Sequence, residues 1–282
     1  MKETRAEYLP ISKLHPFEGH PFKVTDNEEM DQLTWSILTQ GLLTPLVVRP
    51  LPDGEYEVVS GHRRLHACKK AGIETVPALI TDMDRDAAAI ALVDSNLHRE
   101  KILPSEKAFA YKMKMEAMKR QGQRTDLTSR QVVGKLESAD EISDESGRQV
   151  QRYIRLTHLI KPLLDMVDEG RIAFTPAVEL SYLNEIEQQD LVDAIPVCEA
   201  TPNLSQACRL KAISQDKGLN PEDITAIMSE QKANQKPMFK IRLDKLREVA
   251  PKVKDSEFEA FVVKACAYYY KHQQKEKMKD AR

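Results

Sequence analysis

Residues 46–71 read LVVRPLPDGEYEVVSGHRRLHACKKA, and they predict two short strands followed directly by a helix. The segments Leu46–Arg49 and Tyr56–Val59 are rich in β-branched residues, which favour strands. The pair Asp53-Gly54 between them has the residue types of a tight turn, so the two segments are predicted to form a hairpin. Beyond the hairpin the apolar residues recur at a helical period.

The neighbouring sequence extends this pattern in both directions. Helix-period sequence runs from Asn27 to Thr39 and ends at Gly41, before the hairpin, and an extended segment, Val76–Ile80, follows the helix. Strands and helices that alternate over a short stretch indicate a sheet that packs against helices. We therefore predict a small mixed α/β domain over residues 1–103.

The sequence from Pro104 to Lys217 has helical periodicity almost throughout, broken by short turns. Pro104, followed by serine and glutamate, is typical of a helix start. The predicted buried stripe of this helix consists of Ala108, Tyr111, Met115 and Met118. Residues 104–217 are therefore predicted to form an all-α domain.

Residues 218–282 predict a linker and a small C-terminal unit. Phe239 and Ile241 alternate as in a strand, and Ser256–Tyr270 has helical periodicity. The apolar side of that predicted helix comprises Phe258, Phe261, Val262 and Ala265. The fold class of the whole chain is thus α+β: a mixed α/β domain, an all-α domain and a small third unit.

Composition excludes several classes of protein. Of the 282 residues 30% are charged and 41% hydrophobic, and no run of 18 apolar residues occurs, so no membrane span is predicted. The four cysteines lie far apart without a C-x-x-C pair, which indicates neither a zinc site nor a disulfide framework. We expect a cytoplasmic protein from a reducing compartment.

Two segments carry residues suited to binding phosphate. In SGHRR at residues 60–64, Gly61 lets the backbone approach a ligand, and Arg63 and Arg64 are suited to phosphate oxygens. The sequence DSNLHRE at residues 94–100 adds Asn96 and Arg99, which suit a phosphate or a phosphate-bound Mg²⁺. Taken singly, the first segment is equally compatible with a solvated basic turn and the second with a helix cap.

The order of the segments is more specific than any one of them. The patterns G-x-x-x-P-x-x-V-R, S-G-H-R-R and S-N-x-x-R-E-x-x-x-P-S-E-x-A follow one another, and they resemble the ParB/RepB partition protein family over about residues 7–215. This resemblance implies a clamp-forming protein that binds a DNA site through a helix-turn-helix and binds CTP and Mg²⁺ through its N-terminal domain. It also implies a nucleoid-associated role in plasmid, chromosome or mobile-element segregation, with a partition ATPase as a candidate partner. A homodimer is expected from the two-fold symmetry usual for such DNA readers.

The resemblance assigns residues by position. The implied nucleotide-binding set is Gly61, His62, Arg63, Arg64, Asn96, Arg99 and Lys23, with Mg²⁺ held by Asn96 through the nucleotide. The family usually has glutamate at His62 and at Ser95, and its early Gln-Pro-Arg segment is replaced here by residues 20–23, HPFK. Hydrolysis needs a group that positions the attacking water, so Ser95 leaves CTPase activity open.

The predicted DNA reader is a helix-turn-helix. Ser138–Gly147 is predicted to form a short helix and turn, and Arg148–Ile160 the second helix. Val150 and Ile154 lie on one face of the second helix and can pack it against the rest of the protein. From Gly147 to Lys161 there are four Lys or Arg residues and no acid. The candidate base contacts are Gln149, Gln151 and Arg152, and the candidate phosphate contacts are Arg148 and Arg155. The alternative is a basic helix face that is merely solvated.

Two other functions stay open on the sequence alone. One is a transcription regulator whose N-terminal domain serves only for dimerisation, which absence of nucleotide binding would favour. The other is an enzyme on the same scaffold, since relatives of this module resemble kinases, nucleases and sulfiredoxins. A sulfiredoxin would need a cysteine in the phosphate turn, whereas Cys68 follows it, and a nuclease would need the acids that His62 and Ser95 replace.

Overall fold

The computed structural model describes residues 4–99, 101–125, 145–230 and 258–280, together with residues 247, 250, 253 and 254. The chain divides into two compact units, Met1–Glu230 and Gln231–Arg282. Helices and strands are numbered below in chain order among the described residues. The predicted strand at Phe239 and Ile241 and most of the predicted helix Ser138–Gly147 lie outside them.

A mixed sheet forms the centre of the N-terminal region. Its strands are β1 (Thr4–Pro10), β2 (Leu14–Pro16), β3 (Leu46–Pro50), β4 (Tyr56–Ser60) and β5 (Thr75–Thr81). Within the described part of the chain they make one five-stranded sheet in the order β1-β5-β3-β4-β2. The β1–β5 and β3–β4 pairs are antiparallel, and the β3–β5 and β2–β4 pairs are parallel. The predicted β3–β4 hairpin is confirmed, with Gly54 at a φ of +83° in its turn.

Helices cover both faces of the sheet. They are α1 (Glu28–Gln40), α2 (His62–Lys70), α3 (Arg85–Leu97) and α4 (Pro104–Thr125). Val48 and Val58 pack in one core with α1 and α2, whereas their strand neighbours Val47 and Val59 pack with α3 and α4. Successive strand residues point to opposite faces, so the alternation places the two helix pairs on opposite sides.

Helix α4 joins the sheet region to the helices that follow. As predicted it begins at Pro104, and of its expected stripe Ala108, Tyr111 and Met115 are buried while Met118 is half-buried. Its residues contribute both to the core beneath α3 and to a cluster with Val150 of the next described helix. The domain boundary near residue 103 stays a prediction, since Met1–Glu230 form one compact unit and α4 packs against elements on both sides of that position.

Short helices make up the rest of the first unit. They are α5 (Gly147–Arg155), α6 (Lys161–Asp168), α7 (Phe174–Leu180), α8 (Glu185–Cys198), α9 (Leu204–Lys217) and α10 (Pro221–Met228). Short 3₁₀ turns occur at Ile11–Lys13 and Leu156–His158. The second predicted helix of the DNA reader, Arg148–Ile160, is thus a helix and a 3₁₀ turn. The helices share a core in which Leu156, Leu163 and Leu210 are fully buried.

The second unit contains helix α11 (Phe258–Asp280), which continues beyond the predicted end at Tyr270. On its predicted apolar side Phe258 is buried, Val262 is half-buried, and Phe261 and Ala265 are exposed. No helix of the described residues has both the length and the apolar character needed to cross a membrane.

Candidate nucleotide and DNA sites

The junction between β4 and α2 depends on Gly61. Its φ of +105° is a backbone conformation that favours glycine. A Cβ added there would lie 2.6 Å from Cδ2 of Leu46, a fully buried side chain. Among the described residues, no side chain caps the first turn of α2. The first N–H groups of α2 are therefore available to an anion at the start of this helix.

Beside this junction lies an open cleft of about 840 Å³. The N-termini of α1, α2 and α4 border it through Asn27, Arg63 and Leu103 respectively. Helix N-termini carry partial positive charge and free N–H groups, so their convergence favours a negatively charged ligand.

The charges that line the cleft add to this preference. Among its described lining residues, the cations are Lys23, Arg63, Arg99 and Lys101, and the carboxylates are Glu29 and Glu106. Arg63 donates through Nη2 to Glu29 Oε2 at 3.1 Å, and the guanidinium of Arg99 lies 5.4 Å from the centre of the Phe22 ring. Burial lowers the pKa of Arg99, and the neighbouring charge of Arg63 lowers it further. The two guanidinium groups are thus close enough to repel each other without a bound anion.

Glu106 has a positioning role in the cleft wall. Its Oε1 accepts a hydrogen bond from the backbone N–H of Lys23 at 2.7 Å, and its Oε2 accepts one from that of Leu103 at 3.1 Å. The carboxylate therefore caps the start of α4 and holds the segment that carries Lys23 against it.

Four of the seven residues of the predicted nucleotide set do not line this cleft: Gly61, His62, Arg64 and Asn96. Arg64 donates through Nη1 to the backbone carbonyls of Thr44 and Pro45, at 2.5 and 2.9 Å. Asn96 is buried, and its amide donates to the carbonyl of Leu92 at 2.7 Å. Arg64 thus fixes the loop before β3 and Asn96 the end of α3, whereas Lys23, Arg63 and Arg99 come together. A ligand role for either residue stays a prediction.

His62 is a packed side chain. Its ring is buried, lies 3.8 Å from the ring of His20 between centres, and accepts a hydrogen bond through Nε2 from the backbone N–H of Phe17 at 3.2 Å. Burial, followed by the charges of His20 and Arg99, lowers the pKa of His62 to about 3. The neutral imidazole therefore links the start of α2 to residues 17–20. Lys23 follows these residues three positions further along the chain.

The stability of the protein should consequently fall in mild acid. Between pH 6.5 and 3 the unfolded chain protonates His62 and the folded chain does not, so the free energy of unfolding decreases as pH falls, by up to about 1.4 kcal/mol per pH unit. We expect urea unfolding at pH 7, 6 and 5 to show a flatter pH dependence for His62→Gln. The exposed His98→Gln variant serves as control and should keep the wild-type slope. Equal slopes for all three proteins would contradict this role.

Helix α5 presents a polar face to solvent. Ser146 caps its start by accepting the N–H of Gln149, and Val150 is buried against α4, as predicted. Arg148 and Gln151 are exposed. Spaced three residues apart, they lie on the same side of the helix. They are the members of the predicted DNA-binding set that are most accessible in this structure.

The other two arginines of α5 make contacts within the protein. Arg152 donates to the side chains of Gln149 and Thr175 at 3.1 and 3.0 Å. Arg155 donates to the hydroxyl and the carbonyl of Ser181, and its guanidinium lies 4.1 Å from the centre of the Tyr182 ring. Gln149 is half-buried. These contacts hold α5 against α7, so any role of Arg155 in DNA contact would come in addition to a structural one.

Comparison with known proteins identifies the family. The model of the ParB N-terminal domain matches residues 1–97. A Pseudomonas putida protein named "Probable chromosome-partitioning protein ParB" is 31% identical over 189 residues, which are 67% of this chain and 60% of that protein. A Vibrio cholerae protein of the same name is 30% identical over 207 residues, 73% of this chain and 66% of that protein. The chain belongs to the ParB family of partition proteins.

The match to ParB proteins is partial in length. The chain spans about 60% of the Pseudomonas relative, and about 38% of a Geobacillus nucleoid occlusion protein that is 38% identical over 109 residues. Caulobacter crescentus ParB, truncated at its C-terminus, has been solved complexed to the centromeric parS site; it is 24% identical, covers 73% of this chain and 98% of its own, and has a TM-score of 0.43.

Some residues that line this cleft were not predicted from the sequence to belong to a binding site. Glu29 lies near a helix start, where acidic residues are common for reasons of helix capping alone. Glu106 is a specified position of the third quoted pattern, but no role in the cleft was predicted for it. Lys101 lies within the third quoted pattern but at one of its unspecified positions. Only the folded chain brings these side chains to one cleft.

Proposed function

We propose that this chain is a site-specific DNA-binding partition protein whose N-terminal domain binds CTP with Mg²⁺ and switches a DNA clamp. One observation carries the nucleotide part: Lys23, Arg63 and Arg99, from three separate segments, line one cleft beside the uncapped start of α2. Family membership supports the DNA part. Homodimerisation and a partition ATPase as partner belong to the same proposal and rest on the family relationship.

The cleft suits a triphosphate better than a single phosphate. Its volume of about 840 Å³ lies within the range usual for small-molecule sites. Arg63 can exchange Glu29, an exposed partner, for a phosphate oxygen at little cost. Arg99 and Lys23 then extend the positive charge along the cleft, so that successive phosphates find separate cations.

Mg²⁺ fits this cleft if the phosphates carry it. The ion prefers oxygen ligands and keeps several waters, with one or two carboxylates from the protein. Glu29 offers an exposed carboxylate at the cleft wall, whereas the amide of Asn96 is buried and donates to Leu92. When bound, the ion would neutralise phosphate charge, and among the described cleft residues Glu29 is the carboxylate best placed to hold it.

Efficient hydrolysis of CTP is not expected at this site. Ser95 stands where the family usually has glutamate, and its hydroxyl donates to the carbonyl of Leu92 at 2.9 Å. A serine engaged in this way is a poor general base for an attacking water. We expect CTP to be bound far faster than it is cleaved.

The whole proposal can be tested with the full chain in two steps. The protein is first titrated with CTP, ATP, GTP and UTP in the presence of Mg²⁺, and then incubated with a random duplex library with and without the nucleotide that binds. We expect CTP binding and recovery of one enriched DNA sequence, with longer retention on closed circular DNA when CTP is present. Enrichment of DNA without binding of any nucleotide would overturn the switch and favour a transcription regulator. If no DNA sequence is enriched, the proposal of site-specific DNA binding is overturned.

Substitutions in α5 should distinguish its proposed contacts with DNA phosphates from its proposed contacts with DNA bases. Arg148→Ala should weaken binding to all DNA sequences and reduce the slope of log affinity against log salt by about 1, because one phosphate contact is lost. Gln151→Ala should cost about 1–3 kcal/mol on the enriched sequence and leave non-specific binding unchanged. Fluorescence anisotropy at several salt concentrations measures both effects.

Arg171→Ala provides the matched control for both variants. Arg171 is an exposed arginine of the same unit, paired with Glu169. It should bind DNA as the wild type does. If Arg148→Ala and Gln151→Ala also bind like the wild type, α5 is not the reading helix.

A further inference from the structure

Lys23 lines the cleft and also forms an ion pair with a residue outside it. Its Nζ lies 3.1 Å from Oδ2 of Asp168, the last residue of α6. The lysine side chain is 52% exposed, whereas the carboxylate of Asp168 is 8% exposed. A cation expected to serve a bound phosphate is thus paired with an acid on α6, a helix that follows α4 in the same unit.

Asp168 is held rigidly at this position. Its Oδ1 accepts the backbone N–H of Ser105 at 3.0 Å, and its Oδ2 accepts the hydroxyl of Ser105 at 2.6 Å. Ser105 lies in the first turn of α4, where the helix N-terminus also favours a negative charge. One nearly buried carboxylate therefore joins the cleft wall, the start of α4 and the end of α6.

We propose that Asp168 is a positioning residue that links nucleotide occupancy of the cleft to the contact between α4 and α6. This inference rests on the proposed function, because it requires an anionic nucleotide beside Lys23. A phosphate group at Lys23 competes with Asp168 for the same ammonium and repels its carboxylate. The nucleotide therefore binds more weakly while the Asp168 contact is intact, and a bound nucleotide weakens that contact by the same free energy.

The sign of the effect distinguishes this role from a purely structural one. If Asp168 only supported the fold, removing its charge would loosen the cleft wall and weaken nucleotide binding. If it competes for Lys23, removing its charge should strengthen nucleotide binding. Asparagine is the appropriate substitute, since its Oδ1 can still accept the N–H of Ser105 and its amide can donate to the hydroxyl.

The experiment is a calorimetric titration of the full chain with CTP and Mg²⁺, without DNA. Asp168→Asn and Asp168→Ser remove the charge, Asp168→Glu retains it, and Glu169→Gln removes the neighbouring exposed charge as a matched control. We expect at least about fivefold tighter CTP binding for Asp168→Asn and Asp168→Ser. Asp168→Glu and Glu169→Gln should stay within twofold of the wild type. The gain should shrink as salt is raised, because it arises from charge.

Each outcome bears on a separate claim. If the wild type binds CTP and both neutral variants bind it equally well or more weakly, the coupling through Asp168 is overturned and the proposed nucleotide site stands. If neither the wild type nor any variant binds CTP, both the proposed nucleotide site and the coupling are overturned. Circular dichroism and melting temperature establish that each variant is folded; if Asp168→Asn does not fold, Asp168→Ser decides.

Discussion

Gly61→Ala is expected to lower the free energy of unfolding by about 3 kcal/mol or more and to weaken nucleotide binding with it. Two costs combine. The φ of +105° strains any residue with a Cβ, by about 1–3 kcal/mol, and the new methyl group would meet Leu46 at 2.6 Å inside a packed core. Relief of that contact would shift the start of α2, whose N–H groups border the cleft.

Gly72→Ala is the matched control for this substitution. Gly72 also has a positive φ, +70°, but a Cβ added there meets no heavy atom within 4 Å. Its replacement should cost only the backbone strain of a left-handed residue, about 1–2 kcal/mol, and leave nucleotide binding unchanged. Urea denaturation of both variants and the wild type measures the difference. Equal losses of stability at the two glycines would show that the contact with Leu46 is unimportant.

Arg63→Ala and Arg99→Ala are each expected to weaken CTP binding by about 10- to 150-fold while the protein remains folded. A hydrogen bond to a charged group contributes about 1.5–3 kcal/mol, which corresponds to that range. Arg63 is half-exposed and bonded to the exposed Glu29, so its removal leaves no buried acid without a partner. Titration with CTP and Mg²⁺ measures the loss.

Arg85→Ala and Arg64→Ala complete this comparison. Arg85 is an exposed arginine of the same unit, paired with Glu18 at 2.6 Å, and its replacement should leave CTP affinity unchanged. Arg64→Ala should reduce stability, because the carbonyls of Thr44 and Pro45 lose their donor. Should Arg63→Ala and Arg99→Ala bind CTP as Arg85→Ala does, the phosphates do not lie in this cleft.

Much of the local structure was predictable from the sequence. The hairpin, the Gly61 junction and the start of α4 at Pro104 all follow from residue types whose backbone preferences are strong. The burial of Tyr111 and Val150 followed from helical periodicity. These features depend on neighbours in the sequence, and a single sequence contains that information.

The composition of the site was only partly predictable. Arg63 and Arg64 were expected to share a ligand, yet consecutive residues on a helix point about 100° apart, and α2 directs one to the cleft and the other to the loop before β3. Asp168 had no sequence signal, because its partners Lys23 and Ser105 lie 145 and 63 residues away. Arg155 was expected at DNA phosphates, and its bonds to Ser181 depend on the placement of α7.

The central claim is that Lys23, Arg63 and Arg99 hold the phosphates of a nucleotide beside the first turn of α2. A crystal structure of the full chain with CTP and Mg²⁺ tests it most directly. We predict phosphate oxygens within hydrogen-bond distance of both guanidinium groups and of the ammonium, with Arg63 released from Glu29. Phosphates bound outside this cleft, with Arg63 still on Glu29, would contradict the claim.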